Sequence, residues 1–327
     1  MPVIVNATDP HPFLPSLGDV TAIEAERARH QDIRPLEVAI VNLMADKQAV
    51  ERQLAQWLGH SVLQVHLTFA ATDDYFDAVQ GGHEPRHTPA DHIRKFYSPF
   101  RDIKGQKFDG LIITGVNALR QDITTEPIWP QVREILDWSA TNALSSLFLC
   151  WGAQAALKHF YAIDRTRRAR KTFGVFQHDL VSDRTALLSG FSDLFPLPVS
   201  RWNEIEKQAV LPHPELEIVA ESAEAGLSLL VEPAAFDAGK QLYPRRVFIL
   251  GHPEYDTDLL RQEYLRDRAA DPAYPQPCHY FPDGDPAAAP RNVWRHTGHV
   301  FTNWINALYK ATPYDLTQIP RPYGTAG

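Results

Sequence analysis

Short apolar runs alternate with segments of helical periodicity along most of the chain. Leu36–Met44 is an almost uninterrupted apolar run rich in β-branched residues, which predicts a strand buried on both faces. In the segment Lys47–Leu58, apolar residues recur at helical spacing. The same succession continues, with strands predicted at Val62–Phe69, Phe108–Gly115 and Ser145–Cys150 and helices at Ile128–Ser139 and Gly152–Phe160. Strands that alternate with helices indicate an α/β fold built on a parallel sheet.

The second half of the chain has shorter apolar runs. They predict strands at Thr172–Phe176, Ile218–Ser222, Gly226–Val231 and Arg246–Gly251, and the helical periods fall at Leu259–Asp267 and Val293–Tyr309. We expect residues 1–35 to form an arm with a short helix at Val20–Gln31, residues 36–316 to form one α/β domain, and residues 317–327 to form a tail. Residues 71–89 are rich in Asp, Gly, His and Pro, which predicts a long loop, and Thr88 is expected to cap the helix that follows it.

The charge balance argues against a nucleic-acid partner. The formal net charge is −8, whereas a nucleic-acid-binding chain usually carries a basic patch. One basic cluster breaks this pattern, because five of the seven residues in 165–171 are Arg or Lys. Two interpretations stay open for it. We favour a solvated loop, and the alternative is a patch that binds the phosphates of an anionic cofactor.

Cysteine usage and the N-terminal sequence bear on the compartment. The chain has two cysteines, Cys150 and Cys278, which is too few for a disulfide framework. The first residues lack the basic and apolar regions of a signal peptide, and no apolar stretch is long enough to span a bilayer. We therefore expect a cytoplasmic protein without a membrane partner. Cys278-His279 has no second ligand pair, so we expect no metal site.

The segment around Cys150 indicates nucleophilic chemistry. Cys150 falls where a buried strand passes into a helix, at the carboxyl edge of the predicted sheet, where ligands bind in such folds. A helix N-terminus favours the thiolate form of a cysteine. Gly152 leaves room for a substrate and for backbone N–H donors. A cysteine nucleophile needs a base, and the base needs a carboxylate to orient it. His252 and Glu254 follow another strand and are two residues apart, so in an extended segment they point to the same side.

Two motifs, Cys150-Trp151-Gly152-Ala153-Gln154-Ala155-Ala156-Leu157 and Gly251-His252-Pro253-Glu254-Tyr255-Asp256, resemble the signatures of the homoserine O-acyltransferase family of methionine biosynthesis. Further segments in the same order resemble the family from about Ile33 to Leu316, nearly the whole chain. They include Lys171-Thr172-Phe173-Gly174-Val175-Phe176, Ser200-Arg201, Gln262-Glu263-Tyr264-Leu265-Arg266-Asp267 and Trp294-Arg295-His296.

The resemblance implies a fold like that of class I glutamine amidotransferases and a role for each matching residue. Cys150 would be the acyl-thioester nucleophile, His252 the general base and Glu254 its partner. Lys47 matches a lysine implicated near the oxyanion. Lys171 and Ser200 match substrate-contacting positions, and Arg266 matches the arginine that holds the amino-acid carboxylate.

The resemblance also implies a reaction and an assembly. The acyl group would come from succinyl-CoA or acetyl-CoA, pass through a thioester on Cys150 in a ping-pong mechanism, and end on the hydroxyl of homoserine. Coenzyme A is a substrate in this scheme, so no permanently bound cofactor is expected. Family members form homodimers, which predicts the same here.

Three departures from the family pattern affect these expectations. The family usually has two lysines where this chain has Asp46 and Lys47. Leu119 occupies the position that helps to set acyl choice, where glycine accompanies succinyl and glutamate accompanies acetyl. Leucine has no negative charge to repel a succinyl carboxylate, and the neighbouring Arg120 offers a cation to pair with it. We therefore expect succinyl-CoA as the acyl donor. The residue before Ser200 is Val199, where the family often has histidine, and this departure leaves the acceptor open. Serine is the alternative to homoserine, because the two differ by one methylene and a pocket discriminates one methylene by only about 1–3 kcal/mol.

Two other functions stay open at this point. The Cys150 segment also resembles the nucleophile region of glutamine amidotransferases, although Phe148 stands where those enzymes usually carry glycine. The second alternative is a non-enzymatic relative that binds a small ligand.

Overall fold

The computed structural model describes residues 3–5, 22–24, 34–116, 120–182, 184–237 and 241–319. Leu119 lies outside the described residues. The strands in these ranges are β1 (Val3–Val5), β2 (Ala22–Glu24), β3 (Leu36–Val41), β4 (Val65–Ala71), β5 (Ser98–Pro99), β6 (Phe108–Ile113), β7 (Ala143–Leu149), β8 (Arg165–Leu180), β9 (Leu194–Ile205), β10 (Glu217–Ser222), β11 (Gly226–Asp237) and β12 (Gln241–Ile249).

The helices of the described ranges lie between these strands and after them. They are α1 (Lys47–Leu58), α2 (Asp73–Gln80), α3 (Ala90–Phe96), α4 (Phe100–Ile103), α5 (Trp129–Asn142), α6 (Trp151–Tyr161), α7 (Lys207–Val210), α8 (Leu259–Ala270) and α9 (His299–Ala311). Single 3₁₀ turns occur at Ile123–Thr125, Ala186–Leu188, Pro282–Gly284, Arg295–Gly298 and Leu316–Gln318. None of the helices in the described ranges is both long and apolar enough to cross a bilayer.

One sheet runs through the molecule in the order β2-β1-β4-β3-β6-β7-β12-β11-β10-β8-β9, with β5 added beside β4. The strands from β2 to β12 along this order pair in parallel. From β12 onward the pairs are antiparallel. The predicted α/β fold with a parallel sheet is confirmed, and an antiparallel extension is added to one side of it.

Both faces of the parallel strands are buried under helices. In β3, Val38 and Ile40 pack into the core on one face with α1 and α9, while Ala39 and Val41 pack into the core on the other face with α5 and α6. Side chains alternate between faces along a strand, so an unbroken apolar run is the pattern that such a strand requires. Burial on both faces therefore explains the sequence of Leu36–Val41.

A buried carboxylate ties the start of β6 to both ends of the described domain. Asp109 accepts two hydrogen bonds from the Arg34 guanidinium, at 2.8 and 2.9 Å, and one from the backbone N–H of Glu37 at 2.7 Å. The hydroxyl of Thr312, which follows α9, also donates to Asp109. All of these donors lie near the N-terminal ends of β3 and β6, so the carboxylate fixes the sheet edge opposite Cys150.

Three sequence predictions in the first hundred residues are wrong. The helix predicted at Val20–Gln31 is contradicted at Ala22–Glu24, which form a strand paired with Val3–Val5. Residues 71–89 contain helix α2, because Phe76 and Val79 bury an apolar face that the polar composition of the segment obscures. Helix α3 is capped at Pro89 without a side-chain hydrogen bond.

Thr88 has a different function from the predicted helix cap. Its hydroxyl accepts from the backbone N–H of Lys47 at 2.9 Å and donates to the Ala45 carbonyl at 2.8 Å, so it supports the start of α1 instead. Asp46 caps the same helix by accepting from the N–H of Ala49 at 3.0 Å. This gives the acidic departure from the family pattern a structural reason.

Two boundaries in the second half also differ from prediction. The basic cluster at 165–171 was expected to be a loop, but it lies within β8, whose partner β9 was not predicted. Ile319 is buried against the main core, so packed residues extend beyond the predicted domain end at residue 316.

We predict that Asp109→Asn lowers the free energy of unfolding by about 3–5 kcal/mol, because it breaks a buried ion pair and turns an amide N–H₂ toward existing donors. Denaturant titration of the purified protein measures this loss. The matched control is Asp77→Asn, which removes the acid of an exposed pair with Arg101 and has a much smaller effect. Equal losses in the two variants would contradict the assigned importance of burial.

Candidate active site

Cys150 lies at a strained turn between β7 and α6. Its backbone has φ +50° and ψ −111°, a conformation that residues with a side chain rarely adopt. Its N–H donates to the Ile249 carbonyl at 2.7 Å, and its carbonyl accepts from Gln154 at 3.1 Å as the helix begins. The turn therefore presents the thiol at the carboxyl edge of the sheet, as the sequence predicts.

Gly152 allows this turn to pack closely against the neighbouring strand. A Cβ at this position would lie 2.8 Å from the Ile113 carbonyl oxygen and 2.9 Å from that of Thr114, closer than real Cβ contacts. The first turn of α6 can therefore approach the end of β6. Its backbone N–H groups have no partner within the helix and are suited to stabilising an oxyanion beside Cys150.

His252 and Glu254 form a buried pair next to Cys150. The ring Nδ1 of His252 lies 2.7 Å from Glu254 Oε1, and the backbone N–H of His252 donates to the Pro198 carbonyl at 2.8 Å. Tyr255 stacks on the imidazole with ring centroids 4.1 Å apart. The two residues lie in a turn after β12 and not in the predicted extended segment. A hydrogen bond from Tyr255 N–H to the His252 carbonyl closes that turn.

The charges of this pair favour a thiolate and an imidazolium. Burial alone would raise the pKa of Cys150, but the charge of His252 and a hydrogen bond from it outweigh burial and lower that pKa. Burial opposes the charged form of His252 as well, yet Cys150 and Glu254 raise the pKa of His252 to about 10. A cysteine in this state is an activated nucleophile.

A cavity of about 490 Å³ opens above the thiol. The structure brings five of the predicted site residues to its wall, namely Cys150, Lys171, Ser200, His252 and Arg266. Lys171 and Ser200 come from β8 and β9, the antiparallel extension of the sheet. Arg266 comes from α8. The parallel strands thus position the nucleophile, and the added elements supply the opposite wall.

Glu263 connects the residues of that wall, a function that the sequence analysis did not assign. Its Oε2 accepts from Lys171 Nζ at 3.1 Å and from the Ser200 hydroxyl at 2.6 Å, and its Oε1 accepts from the Tyr255 hydroxyl at 3.0 Å. Because Tyr255 stacks on His252, Glu263 links Lys171 and Ser200 to the imidazole of His252.

The model of the family described as homoserine O-succinyltransferase matches residues 2–314. Similar proteins include the homoserine O-acetyltransferases of Bacillus licheniformis, 38% identical over 96% of this chain and 99% of the relative, and of Thermotoga neapolitana, 39% identical over 98% and 100%. The corresponding enzyme of Rhizobium leguminosarum is 40% identical over 89% of this chain and 90% of its own length. The chain belongs to this family of acyltransferases.

Solved structures support the fold. A Thermoplasma acidophilum protein described as a GMP synthase component superposes with a TM-score of 0.50 at 13% identity, covering 85% of this chain and 96% of that one. Identity this low bears on the fold alone. It agrees with the glutamine amidotransferase-like architecture that the resemblance implied.

Arg266 and Asp267 extend the Glu263 network within this acyltransferase. The Arg266 guanidinium contacts Asp267 Oδ1 through Nε at 2.8 Å and Nη2 at 2.7 Å, and its side chain stays 63% exposed. Asp267 also lies 3.6 Å from Lys171 Nζ. The spacing of residues 263, 266 and 267 places them on one face of α8, and this spacing is the signal that identifies Glu263 and Asp267 in the sequence.

Arg201 is a second residue that the sequence analysis quoted only as part of a motif. Its guanidinium is buried beneath the cavity, where it donates to the carbonyls of Leu250 at 2.8 Å and Leu227 at 3.2 Å and to that of Ala225. Burial lowers the pKa of Arg201 to about 10, while the negative charge of Cys150 opposes this change. The buried cation thus adds to the positive potential that favours the thiolate.

Lys47 lies behind the cavity wall. Its ammonium donates to the carbonyls of Asn42 at 2.5 Å and Met44 at 3.2 Å, and Met44 itself lines the cavity. Burial lowers the pKa of Lys47 to about 7, and the buried carboxylate of Glu51 opposes that shift. Glu51 in turn accepts from the Tyr97 hydroxyl at 2.5 Å. The predicted oxyanion role of Lys47 therefore stays a prediction.

The predicted acyl-specificity residues are Leu119 and Arg120. Leu119 lies outside the described residues. The Arg120 guanidinium donates to the Thr125 carbonyl, and the Arg120 N–H donates to Glu126 at 2.7 Å. Both of these acceptors lie in residues 125–126, and the Arg120 carbonyl accepts from the Arg165 guanidinium of β8. Arg120 is not among the described residues that line the cavity.

We predict that alkylation of Cys150 by iodoacetamide persists at pH values well below the ordinary thiol pKa of about 8.5, because the thiolate is lost only as pH falls through a lowered pKa. The reaction is followed by mass spectrometry in a Cys278→Ala background, which leaves one thiol. His252→Ala removes the cation that lowers the pKa of Cys150 and moves the profile up by about one pH unit or more. Superimposable profiles would refute the ion-pair assignment.

Proposed function

We propose that this protein is a homoserine O-acyltransferase that moves an acyl group from acyl-coenzyme A to the homoserine hydroxyl through a thioester on Cys150. The observation that carries the proposal is the Cys150–His252–Glu254 arrangement at a cavity with a cationic wall, in a chain of this family. A thiolate suits attack on a thioester, and cations suit an amino-acid carboxylate.

In the first half-reaction the Cys150 thiolate attacks the thioester carbonyl and forms a tetrahedral oxyanion. Backbone N–H groups at the start of α6 stabilise this charge. When the intermediate collapses, the bond between the carbonyl carbon and the coenzyme A sulfur breaks. The leaving thiolate takes the proton from the His252 imidazolium, which leaves an acyl-enzyme and a neutral imidazole.

In the second half-reaction His252 acts as the base. Its neutral imidazole removes the proton from the homoserine hydroxyl as the oxygen attacks the acyl-enzyme carbonyl. The Cys150 sulfur departs as a thiolate, which restores the ion pair with the imidazolium. Arg266, with its exposed guanidinium, holds the substrate carboxylate, and Lys171 and Ser200 contact the acceptor beside it.

Two observations favour acetyl over succinyl as the acyl group. The Arg120 guanidinium, expected to pair with a succinyl carboxylate, donates to the Thr125 carbonyl, and Arg120 is not among the described residues that line the cavity. The similar proteins of Bacillus licheniformis, Thermotoga neapolitana and Rhizobium leguminosarum are all described as acetyltransferases. The succinyl expectation rests on Leu119 and becomes the alternative that the assay tests. A cytoplasmic homodimer remains our prediction for the assembly.

We predict release of free coenzyme A when acetyl-CoA and homoserine are supplied together, at a rate at least about tenfold above that with serine or with succinyl-CoA. A thiol-reactive dye measures release for each combination of donor and acceptor. Cys150→Ser abolishes release, and acetyl-CoA alone leaves an acetyl adduct on Cys150 by mass spectrometry. Ammonia release from glutamine at a comparable rate would instead favour an amidotransferase-like hydrolase.

The same assay tests the residue at position 119. Leu119→Gly is expected to increase use of succinyl-CoA relative to acetyl-CoA, because glycine accompanies succinyl at the matching position of the family. An unchanged preference would show that Leu119 does not determine the donor.

We predict that Lys47 contributes as a cation. As pH rises through about 7 the buried ammonium loses its proton, so acyl transfer declines on the alkaline side. Lys47→Met removes this decline and lowers the rate about 100-fold or more, as the loss of one oxyanion donor does elsewhere. The measurement is kcat/KM from pH 5.5 to about 9. A parallel decline in wild type and variant would assign the pH effect to another group.

A further inference from the structure

The basic cluster at 165–171 lies along the cavity that contains Cys150. Arg165 and Lys171, its first and last residues, both line that cavity. Between them the pairing with β9 is irregular, because Arg167 pairs with Asn203 and the next pair is Thr172 with Arg201. Residues 168–171 therefore form a bulge, and the segment 166–170 connects two residues of the cavity wall. Below, this segment is called the rim.

The guanidinium groups of the rim have different surroundings. Arg168 pairs with Glu204 at 2.7 Å. Arg167 is exposed and stands 4.5 Å above the ring of Trp202, which also lines the cavity. Arg170 is exposed and has no hydrogen bond or ion pair with any of the residues that the structure describes. At least one guanidinium of the rim is thus available to a ligand, and a second is oriented by an aromatic ring.

The rim stands out against the charge of the whole chain. The formal net charge of −8 repels a polyanion on approach, so a local cluster of cations is needed to attract one. Cys150, His252 and Glu254 already supply the groups that the proposed acyl transfer requires. The cations of the rim are separate from these residues and would contact a charged part of the ligand that is remote from its reacting carbonyl.

We propose that Arg167 and Arg170 form a subsite for the phosphates of acyl-coenzyme A, an inference that rests on the proposed function. In this donor the phosphates are separated from the thioester by the long pantetheine arm. With the thioester at Cys150, the arm leads out of the cavity and the phosphates meet the rim. Guanidinium groups bind phosphate oxygens through paired N–H donors.

The test compares two donors that carry the same thioester. Acetyl-CoA has the phosphates, and acetyl-pantetheine lacks them. In the double variant Arg167→Glu/Arg170→Glu, we expect KM for acetyl-CoA to rise about tenfold or more, while KM for acetyl-pantetheine stays within about twofold. Raising the salt concentration weakens acetyl-CoA binding to the wild type more than to the variant, because the ion contacts are screened.

Arg184→Glu is the matched control. It makes one such charge reversal at an exposed arginine beside a different cavity, one lined by residues of β11, β12 and α9. We expect this variant to change neither KM. A rise of equal size for both donors in the rim double variant would overturn the proposal, since it would mean a general disturbance of the cavity. No rise for acetyl-CoA would overturn it as well.

A binding measurement separates this inference from the proposed reaction. Calorimetry with adenosine 3′,5′-bisphosphate on the Cys150→Ala protein needs no turnover. Binding that weakens about tenfold in the rim double variant supports the subsite even if no acyl-CoA is used, in which case the proposed function alone fails. Binding that is unaffected by the rim substitutions, or no binding at all, would overturn the subsite while leaving acyl transfer to be judged by coenzyme A release.

Discussion

The site depends on the buried ion pair between Cys150 and His252. Both charges are costly to bury, and each is stabilised by the other and by fixed neighbours, Glu254 on the imidazole side and Arg201 beneath the thiolate. The pair is possible because β7 and β12 lie side by side and end at the same level, where the Cys150 N–H donates to the Ile249 carbonyl. The parallel sheet therefore determines the distance between the nucleophile and its base.

Around this pair the cavity is lined on one side by cations and on the other by the start of a helix. Acids lie among these cations, and one of them, Glu263, accepts from Lys171 and Ser200 and contacts Tyr255. Glu263 is connected to His252 through Tyr255, whose ring stacks on the imidazole. A substrate that changes the contacts of Lys171 or Ser200 therefore also changes the surroundings of the imidazole.

Much of this could be predicted from the sequence. Unbroken apolar runs such as Leu36–Val41 identify strands buried on both faces, and a cysteine at a strand end predicts the thiol that the structure places at the cavity. The prediction failed where tertiary contacts outweigh composition. Helix α2 lies in a segment rich in Asp, Gly, His and Pro and buries only Phe76 and Val79, and the basic part of β8 supplies Arg165 and Lys171 to the cavity wall. Glu263 was not assigned because its partners come from β8, β9 and the turn after β12, and only the fold brings them together.

The bulge in β8 has a consequence for how this enzyme could change over time. A bulge leaves residues outside the paired hydrogen bonds of the ladder and re-aims their side chains, so a substitution there changes what faces the cavity without breaking the ladder. The catalytic pair belongs to the parallel half of the sheet, whereas the bulge belongs to the antiparallel half. Substitutions in the antiparallel half of the sheet can therefore change which acyl donor is preferred, while Cys150 and His252 in the parallel half stay the same.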